Sequence, residues 1–179
     1  MKIIKADRLL RNICNETGLY VFRLADLSVL FGESRQNKKL NATLIRLVDA
    51  GVLSRPTKSV YVYVECVDHR VLEFVASAAR PHSVNVISYE SAASRLGLIN
   101  QTYPRLLTVA TTGRSGVVET DWGKIRFTHT SLSSDELRDL SVQGDVLPMT
   151  LEEGTMMLLN RSHLSSRLYI KEANNAKLR

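Results

Sequence analysis

The apolar positions of the chain change period as it is read, and the changes mark its elements. Ile3, Ala6, Leu9, Leu10 and Ile13 fall at helical spacing and predict a first helix from Ile3 to Glu16, ended near Gly18. Leu19 to Phe22 is a short β-prone run. It leads to a second helix in which Leu24, Leu27, Val29, Leu30 and Phe31 supply core. Gly32 breaks the chain, and Ser34 can cap a third helix from Arg35 to Ala50. There Leu40, Leu44, Leu47 and Val48 recur at i, i+4, i+7 and i+8, and Gly51 stops the helix. The period then drops to two. Val52 to Arg55 and Val60 to Val64 predict a hairpin around Pro56-Thr57-Lys58-Ser59, with Val60, Val62 and Val64 alternating against Tyr61 and Tyr63.

Beyond the hairpin, Val67 to Ala79 predicts a linking helix, and Arg80-Pro81-His82-Ser83 marks a boundary. A second unit opens with the strand Asn85 to Ile87 and a helix from Tyr89 to Leu96, with Ser88 at its N-cap and Gly97 at its end. Leu106 to Thr112, Val117 to Thr120 and Lys124 to Thr130 predict strands. They are separated by the turns Gly113-Arg114-Ser115-Gly116 and Asp121-Trp122-Gly123, the pattern of an antiparallel meander. Ser134 to Leu140 predicts a short helix capped by Ser133 or Ser134. Thr150 with Glu153 resembles a capping box for a helix through Met156 to Leu159. Leu164 to Ile170 predicts a final strand or helix, and the polar end from Glu172 is expected to fray. The expected fold class is α+β. A winged helix-turn-helix over residues 1–80, including the linking helix, precedes a small mixed α/β domain with an antiparallel meander over 81–179.

Charge changes this picture. Residues 1–66 carry 11 Lys+Arg against 6 Asp+Glu, and the remainder 13 against 12, so nearly all of the net +6 lies in the first third. The excess base sits on the third helix and the hairpin tip, and a polyanion is the natural partner. Arg35, Lys38, Lys39, Ala42 and Arg46 project away from the apolar stripe, with Asn41 and Thr43 on its flanks, and no acid intervenes before Asp49. Two helices joined by a tight turn, followed by a basic β-ribbon, form the winged helix-turn-helix pattern. Arg35, Lys39 and Asn41 are the expected base readers, since Arg and Lys match guanine edges and Asn matches adenine. Lys38, Arg46, Arg55 and Lys58 are expected to hold phosphates.

Chemistry is sparse. The chain has no Walker, dinucleotide-binding, nucleophile-elbow or zincin motif, and an enzyme is not expected. Cys66-Val67-Asp68-His69 has metal-like spacing without a second ligand pair nearby, so no metal or cofactor is expected. Cys14 and Cys66 do not make a disulfide framework, and both are expected to be reduced in the cytoplasm. No signal peptide or membrane span is visible, so no membrane is expected as a partner. Gly113 to Gly116 has the form of an anion-binding nest or of a plain hairpin tip. Glu119, Thr120, Asp121 and Lys124 invite comparison with a metal-dependent nuclease, but that chemistry wants acids converging from separate strands. A winged-helix transcription factor with a ligand pocket in its second domain is a further alternative.

The stretch Ser88 to Ser131, SYESAASRLGLINQTYPRLLTVATTGRSGVVETDWGKIRFTHTS, resembles the core of the AbiEi-type antitoxins of abortive-infection (type IV) toxin–antitoxin systems. The match runs through a Tyr-x-Ser-Ala-Ala helix ending Leu-Gly-Leu-Ile, a strand ending Thr-Thr-Gly-Arg-Ser, and a Val-Glu-Thr-x-x-Gly hairpin. Ala110 to Ser115 is its most specific piece, and the block covers about a quarter of the chain. The resemblance implies a phage-defence antitoxin that binds double-stranded promoter DNA, at inverted repeats, as an autorepressor. It also implies that the second domain counters a nucleotidyltransferase-like toxin without requiring a stable complex. Arg114, Ser115, Lys124 and Arg126 are the expected antitoxicity surface.

Overall fold

The structure is a computed structural model describing residues 2–162; the strand or helix expected over Leu164–Ile170 and the fraying expected from Glu172 lie outside the described residues. It is a mixed α+β chain whose packing divides into two compact units. The first runs to Ala79 and takes in Val118–Trp122; the second comprises Arg80–Val117 and the chain from Gly123.

In the first unit α1 (Ile3–Thr17) buries Ala6 and Leu10 and ends at Gly18, whose φ of 71° lets its N–H turn back to the Cys14 carbonyl. β1 (Val21–Arg23) leads into α2 (Leu24–Leu30), where the Asp26 carboxylate accepts from the Arg23 backbone N–H at 2.8 Å. Leu27 is fully buried, whereas Val29, expected in the core, is 81% exposed. α3 (Lys38–Asp49) begins three residues later than its composition suggested. Asn37, not Ser34, caps it by accepting from the Lys39 N–H at 2.9 Å. Arg35 therefore lies in the connecting turn.

β2 (Leu53–Thr57) and β3 (Val60–Tyr63) form the hairpin, with Lys58 and Ser59 alone at its turn and a register shift between Ser54 and Thr57. β3 is the middle strand of the antiparallel order β1-β3-β2, so all four of its residues are buried and the polar-out alternation disappears. Val64 leaves the strand for a 3₁₀ turn, Val64–Cys66. α4 (Val71–Ala79) follows.

Phenol–carboxylate pairs tie this unit together. The Tyr63 hydroxyl donates to Asp7 at 2.8 Å; burial and that bond push the phenol up to about 12. The Tyr20 hydroxyl donates to Asp68 at 2.6 Å, and Arg70 grips the same carboxylate at 2.6 Å. Burial would raise the Asp68 carboxyl, but these donors outweigh it and hold it near 2.

The cysteines correct an expectation. Cys14, at the end of α1, and Cys66, in the 3₁₀ turn, are joined by a disulfide, with their Cα atoms 6.6 Å apart. α1 and the strand end, remote in sequence, approach closely enough for the sulfurs to meet.

Among the described residues, the chain beyond Ala79 builds a six-stranded sheet of order β6-β7-β5-β4-β9-β8. Its strands are β4 (Asn85–Ile87), β5 (Leu106–Thr111), β6 (Gly116–Thr120), β7 (Gly123–His129), β8 (Ser141–Val142) and β9 (Met149–Thr150). The expected antiparallel meander does not form. β5 and β7 pair in parallel from Leu106–Lys124 to Thr111–His129, while β4 pairs antiparallel with β5 and parallel with β9. The physical reason is burial. Leu107 to Thr111 are all buried, so β5 needs a bonded neighbour on each edge and apolar cover on each face. β7 offers buried Ile125 and Phe127, whereas β6, with Val117 60% exposed, suits the edge.

Among the described residues, three helices accompany the sheet: α5 (Tyr89–Arg95), α6 (Ser134–Asp139) and α7 (Glu152–Arg161). Tyr89, Ala93, Leu137, Leu158 and Leu159 pack with Val86 and Ala110 in one core cluster. Ser133 and Glu136 complete a reciprocal capping box on α6. Thr150 does not cap α7. Leu151 occupies that position, and the Thr150 hydroxyl is buried 2.7 Å from that of Thr155.

Candidate nucleic-acid interface

The stripe Leu40, Leu44 and Leu47 is almost wholly buried, and this fixes which face of α3 meets solvent. At 100° per residue, Lys38, Ala42 and Ile45 stand opposite the stripe, Lys39 and Arg46 lie to one side and Asn41 to the other. All six are exposed, as is Arg35 in the turn before the helix. Thr43, expected on a flank, is buried. Among the described residues, the side chains of Arg35, Lys38, Lys39, Asn41 and Lys58 make no hydrogen bond or ion pair within the chain. Arg46 curls back along α3, its Nε donating to the Ala42 carbonyl at 3.1 Å and a terminal nitrogen to Thr43 Oγ1 at 3.3 Å. At the hairpin tip Arg55 donates to the Lys58 carbonyl at 2.7 Å and lies over the Tyr61 ring at 5.3 Å, which stiffens the turn.

Electrostatically the face is uniform up to Asp49, the first acid on it. It offers mobile Lys and Arg donors, one amide able to donate and accept in pairs, and an N-terminal helix end free of acids. Sequence reasoning passed over Ile45, which is 55% exposed. Its signal was present, since it falls outside the i, i+4, i+7 register of its aliphatic neighbours.

The residues expected for antitoxicity do not gather into one surface. Arg114 and Ser115 sit in the link from β5 to β6, where Thr112, Gly113 and His129 join them around a concavity of about 420 Å³. Ser115 Oγ accepts from the His129 backbone N–H at 2.9 Å, and His129 Nδ1 lies 2.9 Å from the Gly113 carbonyl. Arg80 donates to the Arg114 carbonyl, with its guanidinium 4.2 Å from the Phe127 ring centre. Burial lowers the Arg80 pKa. Lys124 lies at the other end of β7, about 17 Å from His129 at the usual strand rise.

Arg126 is an ion-pair partner rather than a free cation, donating to Glu90 Oε1 at 2.8 Å. The Glu90 side chain is 8% exposed, and its other oxygen has no partner. Arg126→Ala is therefore expected to destabilise the second unit by about 2 kcal/mol, allowing for screening at the exposed guanidinium. Urea unfolding reads this directly, and Glu90→Gln in the same chain should restore most of the loss. A single variant as stable as the parent would refute the pairing. Among the described residues, no three His, Cys, Asp or Glu side chains group to hold a metal, and no helix is long and apolar enough to cross a membrane.

No family model and no curated protein sequence matches the chain. Among solved structures it is similar to the crystal structure of the RV2827C protein from Mycobacterium tuberculosis. The TM-score is 0.62 at 14% identity, over 86% of this chain and 59% of that one. That likeness extends to the fold, and this chain spans about 59% of the other protein's length.

Proposed function

We propose that residues 1–80 are a winged helix-turn-helix that binds double-stranded promoter DNA, in a cytoplasmic, non-enzymatic antitoxin that represses its own operon. On this reading the second unit counters a nucleotidyltransferase-like toxin, in keeping with the resemblance of Ser88 to Ser131 to AbiEi-type antitoxins. The observation that carries the DNA reading is the outer face of α3. It presents exposed Lys38, Lys39 and Asn41 without intramolecular partners, while the opposite stripe is buried. The element order α1-β1-α2-α3-β2-β3, with Lys58 at the hairpin turn, supports a helix lying in the major groove beside a phosphate-gripping ribbon. For antitoxicity the support is the resemblance together with the exposed Arg114–Ser115 concavity.

Fluorescence anisotropy against the protein's own upstream DNA and a scrambled duplex, over a salt series, tests the repressor. Specific binding is expected, and if about five phosphates are neutralised, log K should fall with log salt at a slope near −4 to −5. Arg35→Ala, at the N-terminal approach to α3, should relax sequence preference, whereas Lys58→Ala should weaken all duplexes alike. Equal behaviour of the two variants would overturn that division of roles, and binding without sequence preference would overturn the repressor.

A further inference from the structure

Ile45 is the one large aliphatic side chain of α3 turned out to solvent, 55% exposed where Leu40, Leu44 and Leu47 are at most 2%. A single exposed isoleucine needs no explanation on an ordinary surface. This one lies at the centre of the exposed face, flanked by Lys38 one face-repeat earlier, Ala42 on one side and Asn41 a turn before. Its Cβ branch also stiffens χ1, so the side chain offers a fixed apolar knob rather than a mobile one. Ala42 is small enough to let a surface approach the helix beside it.

The major groove of B-DNA offers one apolar feature on its base edges, the 5-methyl group of thymine. Asn41 is suited to the N6 and N7 edge of adenine. Residues 41 and 45 are one turn apart, about 6 Å along the helix axis, a spacing that spans neighbouring base pairs rather than distant ones. We infer that Ile45 reads a thymine methyl, next to an adenine read by Asn41, so that the half-site under the middle of α3 is A·T-containing. This rests on the DNA-binding reading above and adds to it the bases that the helix prefers.

The probe is the protein's own upstream duplex, prepared once with thymidine and once with deoxyuridine. The exchange removes only the methyl groups and leaves every Watson–Crick edge in place. The full-length protein is expected to bind the thymidine duplex about fourfold more tightly for each methyl engaged, the factor that corresponds to burying one such group. Ile45→Ala should bind the thymidine duplex more weakly by a similar factor and lose the distinction between the two. Because Ile45 is exposed, that variant should keep its thermal unfolding midpoint. Lys58→Ala should weaken both duplexes and keep their ratio. Equal binding of the two duplexes by the parent, or an unchanged ratio in Ile45→Ala, overturns the inference while leaving DNA binding intact. No preference for either duplex over a scrambled one overturns the sequence-specific repressor, and the inference with it, whereas no binding to any duplex overturns the DNA reading itself.

Discussion

Gly123→Ala is expected to cost the second unit about 3 to 5 kcal/mol, lowering its thermal unfolding midpoint by roughly 10 °C or more. Gly123 has φ of 152°, a conformation that residues with a Cβ rarely adopt. A Cβ there would also run into the Arg105 backbone, 2.9 Å from its carbonyl carbon and 3.1 Å from its Cα, with the carbonyl oxygen nearer still. That oxygen cannot retreat cheaply, because it accepts the Lys124 N–H at 2.8 Å and so sets the start of the parallel β5–β7 pairing. Strain and collision therefore fall on the same bond. Thermal unfolding followed by circular dichroism checks this, with hydrogen exchange at Leu107 to Thr111 showing whether the loss is centred on β5. A variant within about 1 kcal/mol of the parent would mean that the β5–β7 register is wrong.

Gly123 also shows what a linear sequence conveys. Its place after Asp121-Trp122 marks a turn, and a turn is there. The identity of the strand that β7 then joins is not marked, because alternation identifies the buried face of a strand and says nothing of its neighbour. Gly113 to Gly116 fits a hairpin tip and a link passing over another strand equally well. Local signals held where both partners are close in sequence, as in the Ser133–Glu136 capping box or the buried stripe of α3. They failed where a distant group claimed the side chain. Thr150 has the spacing of a cap, but the Thr155 and Ser88 hydroxyls hold it in the interior. Arg126 looks like a surface cation, and its partner Glu90 lies 36 residues earlier. The start of α3 was ambiguous for another reason: Ser34 and Asn37 can both cap, and Asn37 is additionally fixed by its amide donating to Glu33 at 2.5 Å. At the candidate interface the cations were evident from composition, while the place of Ile45 among them needed the face to be known.

Reducing the Cys14–Cys66 disulfide is expected to remove about 4 kcal/mol from the stability of the first unit, from the entropy returned to an unfolded chain no longer closed across 52 residues. That is a large share of the roughly 5–15 kcal/mol a domain ordinarily has. Urea unfolding with and without dithiothreitol should show the midpoint falling on reduction, while Cys14→Ser should start low and ignore the reductant. Identical curves in all three cases would show that the bond contributes nothing. A reducing compartment would thus hold the unit in its less stable form, relying on Ala6 and Leu10 of α1, Leu27 and the α3 stripe to remain folded. Both cysteines lie outside α3 and outside the hairpin turn. Reduction should therefore lower the temperature at which DNA binding is lost while leaving affinity at 25 °C, and the discrimination between thymidine and deoxyuridine duplexes, unchanged. A reduced protein that unfolds no earlier yet binds DNA differently would place the disulfide in recognition rather than in stability.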